Sequence, residues 1–255
     1  MRSGAKNSLE RALAILELVA LNPGGLTLSG IMRRLKIPSG TSHYILTRLA
    51  REGYLARRED TKRYEIGLKL VGIAHGALRD MGLRIAAEPV LHQLAAETKL
   101  CALVGVLERS HVMIVDKVEQ PGMVKADLEI GVRYPAYVTA LGKALLAQMR
   151  DAEASHYLDT YGVPKKFGKD ANSKASFLKE LRAIKTQGYA TVDEELAVGV
   201  QAIAVPIPGM SGRAQAAVSA TGARVQLDDR NIIDAVMRAA REIAKRLAPA
   251  GLAVS

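Results

Sequence analysis

The chain has 255 residues, of which 49% are hydrophobic, so it can build one large core or two modest ones without disulfides or metals. Its single cysteine, Cys101, excludes an intramolecular disulfide and a cysteine-rich zinc module, and is typical of a reducing compartment. The sequence has no apolar run of about 18 residues and no signal-peptide core near its start, so we expect a cytoplasmic protein without a membrane partner.

Positive charge is concentrated in the first third of the chain. Residues 1–80 contain 14 basic and 7 acidic side chains, a net charge of +7, whereas residues 81–255 contain 22 and 19, a net charge of +3. This asymmetry indicates that the first part binds a polyanion such as nucleic acid. Charge alone leaves open the alternative of a basic surface without such a partner.

The first 35 residues predict two helices. A helix over Ser8–Leu21 can be capped by Asn7 or Ser8 and is ended by the Pro and Gly residues that follow Asn22. A second, short helix begins after Thr27, which is a suitable capping residue. Apolar residues at helical spacing predict the buried faces, which are Leu9, Ala12, Leu13, Leu16, Val19 and Ala20 in the first helix and Leu28, Ile31, Met32 and Leu35 in the second.

A third helix, predicted from Pro38 or Ser39 to Gly53, has two contrasting faces. Ile45, Leu46 and Leu49 form the buried face. The opposite face carries hydrogen-bonding groups and positive charge, with no carboxylate before Glu52, which suits the groove of a duplex. The residues predicted to bind DNA from this helix are Ser39, Gly40, Thr41, His43, Tyr44, Thr47, Arg48 and Arg51.

A basic hairpin follows the third helix. Strands predicted over Tyr54–Arg58 and Lys62–Ile66 are joined by a turn at residues 59–61. Three helices and a basic hairpin form the winged helix-turn-helix arrangement, in which the third helix enters the major groove and the hairpin lies along the backbone. A small structural three-helix lobe is the alternative. The hairpin residues predicted to contact DNA are Arg57, Arg58, Lys62 and Arg63.

The remaining sequence carries a succession of helical and strand patterns. Residues 163–175 are polar and aperiodic and are predicted to form a loop, and residues 208–212 a turn. Helices are predicted over Gly67–Arg79, Leu83–Thr98, 139–149, Asp151–Thr160, Phe177–Thr186 and Asp228–Leu247, and strands over Cys101–Leu107, Val112–Val118, Val124–Ile130, Ala202–Ile207 and Gln215–Thr221.

Catalytic and metal-binding patterns are absent from the sequence. It has no dinucleotide fingerprint, phosphate-binding loop or nucleophile elbow, and its five histidines lack the pairing that a metal site requires. We therefore expect no enzyme activity, no cofactor and no metal. The acidic run at residues 193–195 could hold a ligand hydroxyl or form a solvated turn, and Cys101, within an apolar strand, is expected to be buried and inert.

The residues quoted so far resemble a known family. The run SLERALAILELVALNPGGLTLSGIMRRLKIPSGTSHYILTRLAREGYLARREDTKRYEIG resembles the N-terminal domain of the IclR family of bacterial transcriptional regulators. The runs IGVRYPAYVTALGKALLA and GYATVDEELAVGVQAIAVPI are similar to blocks of that family's effector domain. The resemblance therefore covers nearly the whole chain in the same order.

The resemblance implies an α+β protein with a winged helix-turn-helix domain (1–67), a linker helix (68–82) and a GAF-like α/β domain for effector binding and oligomerisation (83–255). It also implies a homodimer, or a dimer of dimers, on a palindromic double-stranded DNA operator, with a small metabolite, often an organic acid, as the effector. The effector-binding positions carried over from the family's motifs are Ala140, Leu141, Gly142, Asp193, Ala202, Ser219 and Thr221.

Two positions depart from the family pattern. Tyr44 stands where family members often have an arginine that could pair with guanine or phosphate, so the operators of relatives do not carry over to this chain. Ala202 stands where the family commonly has a pocket cysteine, which removes a sulfur atom and changes the pocket's shape. The family's operators and effectors are therefore not transferred to this chain.

The sequence thus predicts a ligand-responsive, sequence-specific DNA-binding regulator. An enzyme or metabolite-binding protein with a helical accessory lobe is the first alternative, and turnover of a metabolite without DNA would favour it. A nonspecific architectural DNA-binding protein is the second, and the lack of any stabilising small molecule would favour that one.

Overall fold

The chain divides into two compact units, an N-terminal unit of residues 1–78 and a C-terminal unit of residues 79–255. A computed structural model describes residues 7–79, 82–119, 128–162, 173–209, 214, 216–223, 225 and 227–248. Within these residues, no helix is both long and apolar enough to cross a bilayer.

The N-terminal unit contains four helices in its described part. The side chain of Asn7 caps the first helix by accepting a 2.9 Å hydrogen bond from the Glu10 amide. The hydroxyl of Thr27 caps the second by accepting a 3.2 Å bond from the Gly30 amide. The helices are α1 (Ser8–Ala20), α2 (Leu28–Leu35), α3 (Ser39–Arg51) and α4 (Leu68–Arg79).

A small antiparallel sheet completes this unit. Its strands are β1 (Leu26–Thr27), β2 (Leu55–Arg57) and β3 (Arg63–Ile66), in the order β1-β3-β2. The hairpin of β2 and β3 lies where the sequence predicts it, whereas β1 was not predicted, because two residues are too few to show an alternating pattern. Gly25 allows β1 to approach β3, since a β-carbon at this residue would lie 2.6 Å from the Tyr64 carbonyl oxygen.

The buried face of α1 matches the predicted one only in part. Val19 lies in the core and Ala12 and Leu16 pack against it, but the predicted Leu9, Leu13 and Ala20 are exposed. Ile15, Leu18 and Val19 are the residues of α1 in the core, whereas Leu9 is 70% exposed and Leu13 is 52% exposed. Apolar residues surround most of this helix, so spacing alone could not select the face that packs on α2 and α3. The core of the unit consists of Ile15, Leu18, Val19, Leu26, Ile31, Ile37, Ile45, Leu46, Leu55 and Tyr64.

The C-terminal unit is built on a six-stranded antiparallel sheet. The strand order is β6-β5-β4-β9-β8-β7, so the hairpin β4–β5 pairs through β9 with the hairpin β7–β8. The strands are β4 (Cys101–Glu108), β5 (His111–Val118), β6 (Arg133–Pro135), β7 (Ala190–Asp193), β8 (Gln201–Ile207) and β9 (Ala216–Gly222).

Alternation along the strands separates two hydrophobic cores, one on each face of this sheet. In β9, Ala216, Val218 and Ala220 belong to the first core, and Ala217 belongs to the second. Ser219 and Thr221 share the face of Ala217 because they lie two and four residues beyond it. The register of β4 and β5 shifts between Val104 and Gly105, where β5 contains an irregularity.

Helices cover both faces of the sheet. The first core packs against α5 (Gly82–Thr98) and α9 (Arg230–Leu247), and the second against α6 (Ala140–Leu146), α7 (Asp151–Tyr161) and α8 (Lys174–Gln187). A short 3₁₀ turn over Ala136–Val138 leads into α6, which Thr139 caps by accepting a 3.0 Å bond from the Gly142 amide.

Two predictions for this unit need correction. The strand predicted at Val124–Ile130 is absent over Leu128–Ile130, and its first four residues lie outside the described part. A three-residue strand forms instead at Arg133–Pro135, where it pairs with β5. The loop predicted at residues 163–175 ends early, because Ser173 caps α8 and the helix begins at Lys174. Parts of two predictions lie outside the described residues, namely residues 163–172 of the predicted loop and residues 210–212 of the predicted turn.

Candidate nucleic-acid interface and ligand pocket

Helix α3 is fixed by its buried face. Ser42 and Leu46 are completely buried and Ile45 is 4% exposed. The Ser42 hydroxyl donates a 3.5 Å hydrogen bond to the Ile37 carbonyl oxygen, which satisfies a polar group inside the core. The side chains on the opposite side of α3 therefore project away from the unit.

The outer face of α3 carries the residues predicted to bind DNA. Seven of the eight are exposed, and Thr41 is half-buried. The Arg48 guanidinium lies 5.6 Å from the centre of the Tyr44 ring, so a cation stacks on an aromatic ring in the middle of this face. The exposed residues are Ser39, Gly40, His43, Tyr44, Thr47, Arg48 and Arg51.

The cations of the β2–β3 hairpin are paired with carboxylates of the same hairpin. Lys62 Nζ lies 3.0 Å from Glu59 Oε2, and Arg57 lies 3.9 Å from the same carboxylate. Arg58 Nε donates a 3.0 Å hydrogen bond to Glu65 Oε2. These side chains are largely solvated, and exposed pairs of this kind contribute about 0–1 kcal/mol, so a phosphate group can replace the carboxylates at small cost.

Glu59 remains ionised throughout the neutral range. The hydrogen bond from Lys62, together with the positive charges of Lys62 and Arg57, lowers the pKa of its carboxyl group. The pairs at the tip of the hairpin are therefore present above the ordinary glutamate pKa and are lost only as the pH falls below it.

Arg63 has a different role from its three neighbours. Its guanidinium donates a 2.9 Å hydrogen bond to the Gly25 carbonyl oxygen, in the turn that precedes β1. This bond joins the hairpin to the segment between α1 and α2. In the described structure, this bond ties Arg63 to the turn before β1, but a carbonyl oxygen does not neutralise the positive charge of the exposed Arg63 side chain.

The second core of the C-terminal unit contains a small cavity beside α6. It lies against β4, β5, β8 and β9, and its volume is about 30 Å³. Its walls are mostly apolar, and the polar side chains among them include Thr139, Ser219 and Thr221. The described lining is Leu103, Val112, Ile114, Leu128, Tyr134, Val138, Thr139, Ala140, Leu141, Val192, Leu196, Val200, Ala202, Ser219 and Thr221.

Five of the seven residues predicted to bind an effector line this cavity: Ala140, Leu141, Ala202, Ser219 and Thr221. The hydroxyls of Ser219 and Thr221 lie 3.3 Å apart, and both residues are at most 2% exposed. Asp193 is exposed at the end of β7, where it accepts a 2.8 Å hydrogen bond from the Gln201 amide group. Asp193 and Gly142 are not among the lining residues.

Gly142 is needed for close packing. A β-carbon at this position would lie 2.0 Å from the Ala136 carbonyl oxygen and 2.4 Å from the Ala136 Cα. The first turn of α6 can therefore pack directly against the 3₁₀ turn, which places Ala140 and Leu141 beside the sheet.

Lys143 forms a buried ion network beside the cavity that the sequence analysis did not predict, and its partner Glu195 belongs to the acidic run that the analysis noted. Lys143 is fully buried, and its Nζ lies 2.7 and 2.8 Å from the two carboxylate oxygens of Glu195 and 2.5 Å from Glu180 Oε1. The acidic run at residues 193–195 thus separates into an exposed Asp193 and a buried, paired Glu195. The sequence signal for this network was the single lysine within the otherwise uncharged run of α6.

A larger cavity of about 400 Å³ lies elsewhere in the same unit, between α6, α7 and the end of β4. Its walls include Leu107, Met149 and the adjacent rings of Tyr157 and Tyr161, whose centres are 4.9 Å apart. It opens beside residues outside the described part, since Ala214 is isolated between such segments. Five of the seven residues that the family resemblance predicts for effector binding line the smaller cavity beside α6, and none of the seven is among the described residues that line this one.

Cys101 is a buried thiol on β4. Burial and the nearby Glu119 carboxylate raise the pKa of the Cys101 thiol to about 12, so it remains protonated at neutral pH. No cluster of three His, Cys, Asp or Glu residues occurs in the part of the chain that the structure describes.

Comparison with known proteins identifies the family. The model for the IclR helix-turn-helix domain matches residues 8–59, and the model for the C-terminal domain of bacterial IclR transcriptional regulators matches residues 75–248. The chain belongs to the IclR family of bacterial transcriptional regulators. The predicted family and fold class, a helix-turn-helix domain followed by an α/β domain, are confirmed.

Relatives of this IclR-family chain span its whole length. The HTH-type transcriptional regulator BhcR of Paracoccus denitrificans is 31% identical over 97% of this chain and 89% of its own. The crystal structure of a transcriptional regulator from Rhodococcus sp. RHA1 is 26% identical, with a TM-score of 0.83 over 95% of this chain and 98% of its own. The IclR-family chain is a DNA-binding transcriptional regulator and not an enzyme.

Another structural neighbour shows the same fold with a ligand bound. An IclR homologue from Microbacterium hydrocarbonoxydans, solved in complex with 4-hydroxybenzoate, is 22% identical and has a TM-score of 0.83 over 95% of this chain and 100% of its own.

Proposed function

We propose that this regulator binds a palindromic operator as a homodimer or a dimer of dimers, with α3 in the major groove and the β2–β3 hairpin along the backbone. The observation that supports this most directly is the outer face of α3, which carries two arginines, a histidine and a tyrosine and no carboxylate. Since phosphates repel acids and base edges need donors and acceptors, this face suits a major groove.

The residues of α3 divide into two roles. Thr41, His43 and Tyr44, near the start of the helix, read base edges, because the first turns of a recognition helix approach the bases most closely. Arg48 and Arg51, further along, contact phosphates. The ring of Tyr44 under the Arg48 guanidinium holds that cation over the middle of the face.

The hairpin supplies contacts that do not depend on the base sequence of the DNA. Arg57, Arg58 and Lys62 exchange their carboxylate partners for phosphate oxygens when the duplex binds. Arg63, the fourth cation of the predicted interface, keeps the hairpin oriented through Gly25.

The region around α4, residues 68–82, serves as a linker used in dimerisation, between a DNA-binding domain of residues 1–67 and an effector domain of residues 83–255. Leu68, Val71 and Ile73 are exposed by 85, 57 and 53% on this helix. Three exposed aliphatic residues in one six-residue stretch favour burial against a second copy of the chain.

The small cavity of the C-terminal unit binds a small metabolite, of which organic acids are the first class to test. Ala140, Leu141 and Ala202 supply apolar walls, and the hydroxyls of Ser219 and Thr221 supply hydrogen-bonding groups. 4-Hydroxybenzoate in the structural neighbour is a precedent for a small acid on this fold. Gly142 and Asp193 act indirectly, through packing and through the β7–β8 pair respectively.

The effector acts by shifting a population between two arrangements of the dimer. It can change DNA affinity only by the difference in its own affinity for the two arrangements, and a coupling of about 1–3 kcal/mol is ordinary. The arrangements differ in how well two α3 helices match half-sites about 34 Å apart. Such a regulator acts where the chromosome is, in the cytoplasm.

Variants of α3 test the DNA-binding proposal. A duplex selected by the wild-type protein from a random library serves as the operator, and a scrambled duplex serves as the control. Replacing Thr41, His43 or Tyr44 with Ala is expected to weaken operator binding by about 1–3 kcal/mol while leaving scrambled DNA nearly unaffected. Equal losses on both duplexes would show that these side chains do not read bases.

A thermal-shift screen of small carboxylic acids tests the effector proposal. A ligand at 100 times its dissociation constant stabilises the folded protein by about 2.7 kcal/mol, which raises the melting temperature measurably. The shift is expected to shrink in Ser219→Ala and to persist in Ser176→Ala, an exposed serine on α8. Identical shifts in the two variants would place the ligand outside this cavity.

A further inference from the structure

A buried ion network lies beside the small cavity. The Lys143 ammonium, on the helix whose first residues line the cavity, contacts both oxygens of Glu195 at 2.7 and 2.8 Å and Glu180 on α8 at 2.5 Å. Lys143 is completely buried and Glu195 is 8% exposed. Because buried charges are costly unless they are paired, this network is sensitive to the position of each partner.

One partner belongs to a loop that forms a wall of the cavity. Residues 194–200 connect β7 to β8, and Leu196 and Val200 of this loop line the cavity. Glu195, directly before Leu196, turns inward to Lys143. The loop is therefore joined to α6 by a side chain adjacent to one that lines the cavity.

Within the described lining, loop 194–200 is held by fewer backbone hydrogen bonds than the wall strands. The wall strands β4, β5, β8 and β9 are held by continuous ladders of backbone hydrogen bonds, and α6 packs tightly through Gly142. The backbone of the loop contributes the bonds from the Glu194 amide to Val200 and from the Val200 amide to Ala197, at 2.9 and 3.2 Å. Segments with few backbone bonds are the first to open locally.

The cavity's volume makes such an opening necessary. About 30 Å³ is the share of one water molecule in the liquid, whereas sites for small organic ligands occupy about 300–1,000 Å³. A small organic ligand of ordinary size therefore does not fit the cavity in this arrangement, so a wall must move for it to bind.

We infer that the Lys143–Glu195 ion pair is a latch that holds loop 194–200 closed over the ligand pocket, which makes Lys143 and Glu195 positioning residues for effector binding. The inference rests on the proposed ligand-binding function of the cavity. It adds that loop 194–200 moves and that this movement admits the effector to the cavity.

The second carboxylate allows the latch to open without isolating a charge. When Glu195 leaves with the loop, the Lys143 ammonium keeps its 2.5 Å contact with Glu180, which belongs to a packed helix. Glu195 becomes solvated at the same time, since the loop lies at the surface, with Glu194 and Val198 exposed on either side. Neither ion is then buried without a partner.

Hydrogen exchange on the full-length protein tests the latch. Glu195→Gln removes the charge with little change in shape, and we expect the Glu194 and Val200 amides to exchange about tenfold faster while the β9 amides exchange as in the wild type. If Glu195→Gln does not fold, Glu195→Asp, which keeps the charge and shortens the side chain, is expected to give the same local acceleration.

Two matched variants serve as controls. Glu194→Gln makes the same substitution at the exposed neighbour in the loop, and Glu180→Gln makes it at the helix-borne partner of Lys143. In Glu194→Gln, the loop amides are expected to exchange within a factor of about two of the wild-type rate. In Glu180→Gln, they are expected to exchange more slowly than in the wild type, because opening the loop would take from the buried Lys143 ammonium its remaining contact with a carboxylate of this network. Unchanged loop exchange in Glu195→Gln would overturn the latch, and so would an acceleration that is equally large in β9.

The exchange measurement requires no ligand, so it separates the latch from the proposed function. If the acid screen yields no ligand while Glu195→Gln opens the loop locally, the proposed effector class fails and the latch stands. If the screen yields a ligand that binds Glu195→Gln and wild-type protein at equal rates and affinities, the latch has no role in access and the inference is wrong.

Discussion

The two units place their functional residues in opposite environments. In the N-terminal unit, seven of the eight candidate residues on α3 are exposed, and the hairpin cations form solvated ion pairs that are easily exchanged. In the C-terminal unit, the candidate residues surround a small cavity, and the ions beside it are a fully buried lysine and its carboxylates.

Because of this difference, we expect substitutions in the N-terminal unit to change DNA binding without changing stability. Substitutions in the C-terminal unit are expected to change stability and ligand binding together. Substitutions on the outer face of α3 remove contacts to DNA without opening the core, so binding changes while stability is retained. Substitutions around the cavity alter packing and buried charge, so stability and ligand binding change together.

The largest effect is expected from Lys143→Ala. Removing the ammonium takes away the cation that lies 2.7 Å from the buried Glu195 carboxylate, and breaking a buried pair in this way costs about 3–5 kcal/mol. Urea unfolding of the C-terminal unit measures the loss. Lys179→Ala, an exposed lysine on α8, is the control and is expected to change stability by about 0.5 kcal/mol at most. A loss below about 1 kcal/mol in Lys143→Ala would contradict the burial of the pair.

A smaller loss is expected from Gly142→Ala. The added methyl group would lie 2.0 Å from the Ala136 carbonyl oxygen, so α6 or the 3₁₀ turn must move, and overpacking of this kind typically costs about 1–3 kcal/mol. Gly72→Ala, which adds a methyl group to α4 where no atom lies within 4 Å, is the control and should be neutral or stabilising. Thermal melting distinguishes the two, and equal melting temperatures would show that Gly142 is not a packing residue.

The smallest effect concerns the hairpin. Glu59→Gln removes the carboxylate that competes with phosphate for Lys62 and Arg57, and we expect about two- to fivefold tighter binding to any duplex, since exposed pairs are worth at most about 1 kcal/mol. Asp60→Asn makes the same change in net charge at the next residue, whose carboxylate accepts a bond from Thr61. If both variants bind equally tightly, net charge and not release of the two cations explains the gain.

The sequence predicted the exposed interface more completely than the pocket beside α6. The outer face of α3 follows from helical periodicity over one segment, because Ser42, Ile45 and Leu46 define the buried side and leave the opposite side to solvent. Periodicity failed in part for α1, where Leu9 and Leu13 continue an apolar pattern but remain exposed. Which face of α1 is buried depends on the neighbouring helices that pack against it.

The pocket depends on contacts between distant segments, which local patterns do not contain. Ser219 and Thr221 were predicted from the family resemblance, and the alternation of side chains along β9 explains why both lie on the same face of the sheet. The strand β7 and loop 194–200 were missed, because four residues of mixed polarity carry a weak strand signal. The partnership of Lys143 and Glu195, 52 residues apart, could not be predicted without the fold.

Salt dependence of DNA binding tests the central claim most directly, that α3 and the basic hairpin together hold a duplex. The wild-type protein is compared with a variant in which Arg57, Arg58 and Lys62 are changed to Ala. The plot of log affinity against log salt is expected to become less steep by about 0.9 for each phosphate that the variant no longer neutralises, on operator and scrambled DNA alike. An unchanged slope, or a wild-type protein that retains no duplex at low salt, would contradict the account.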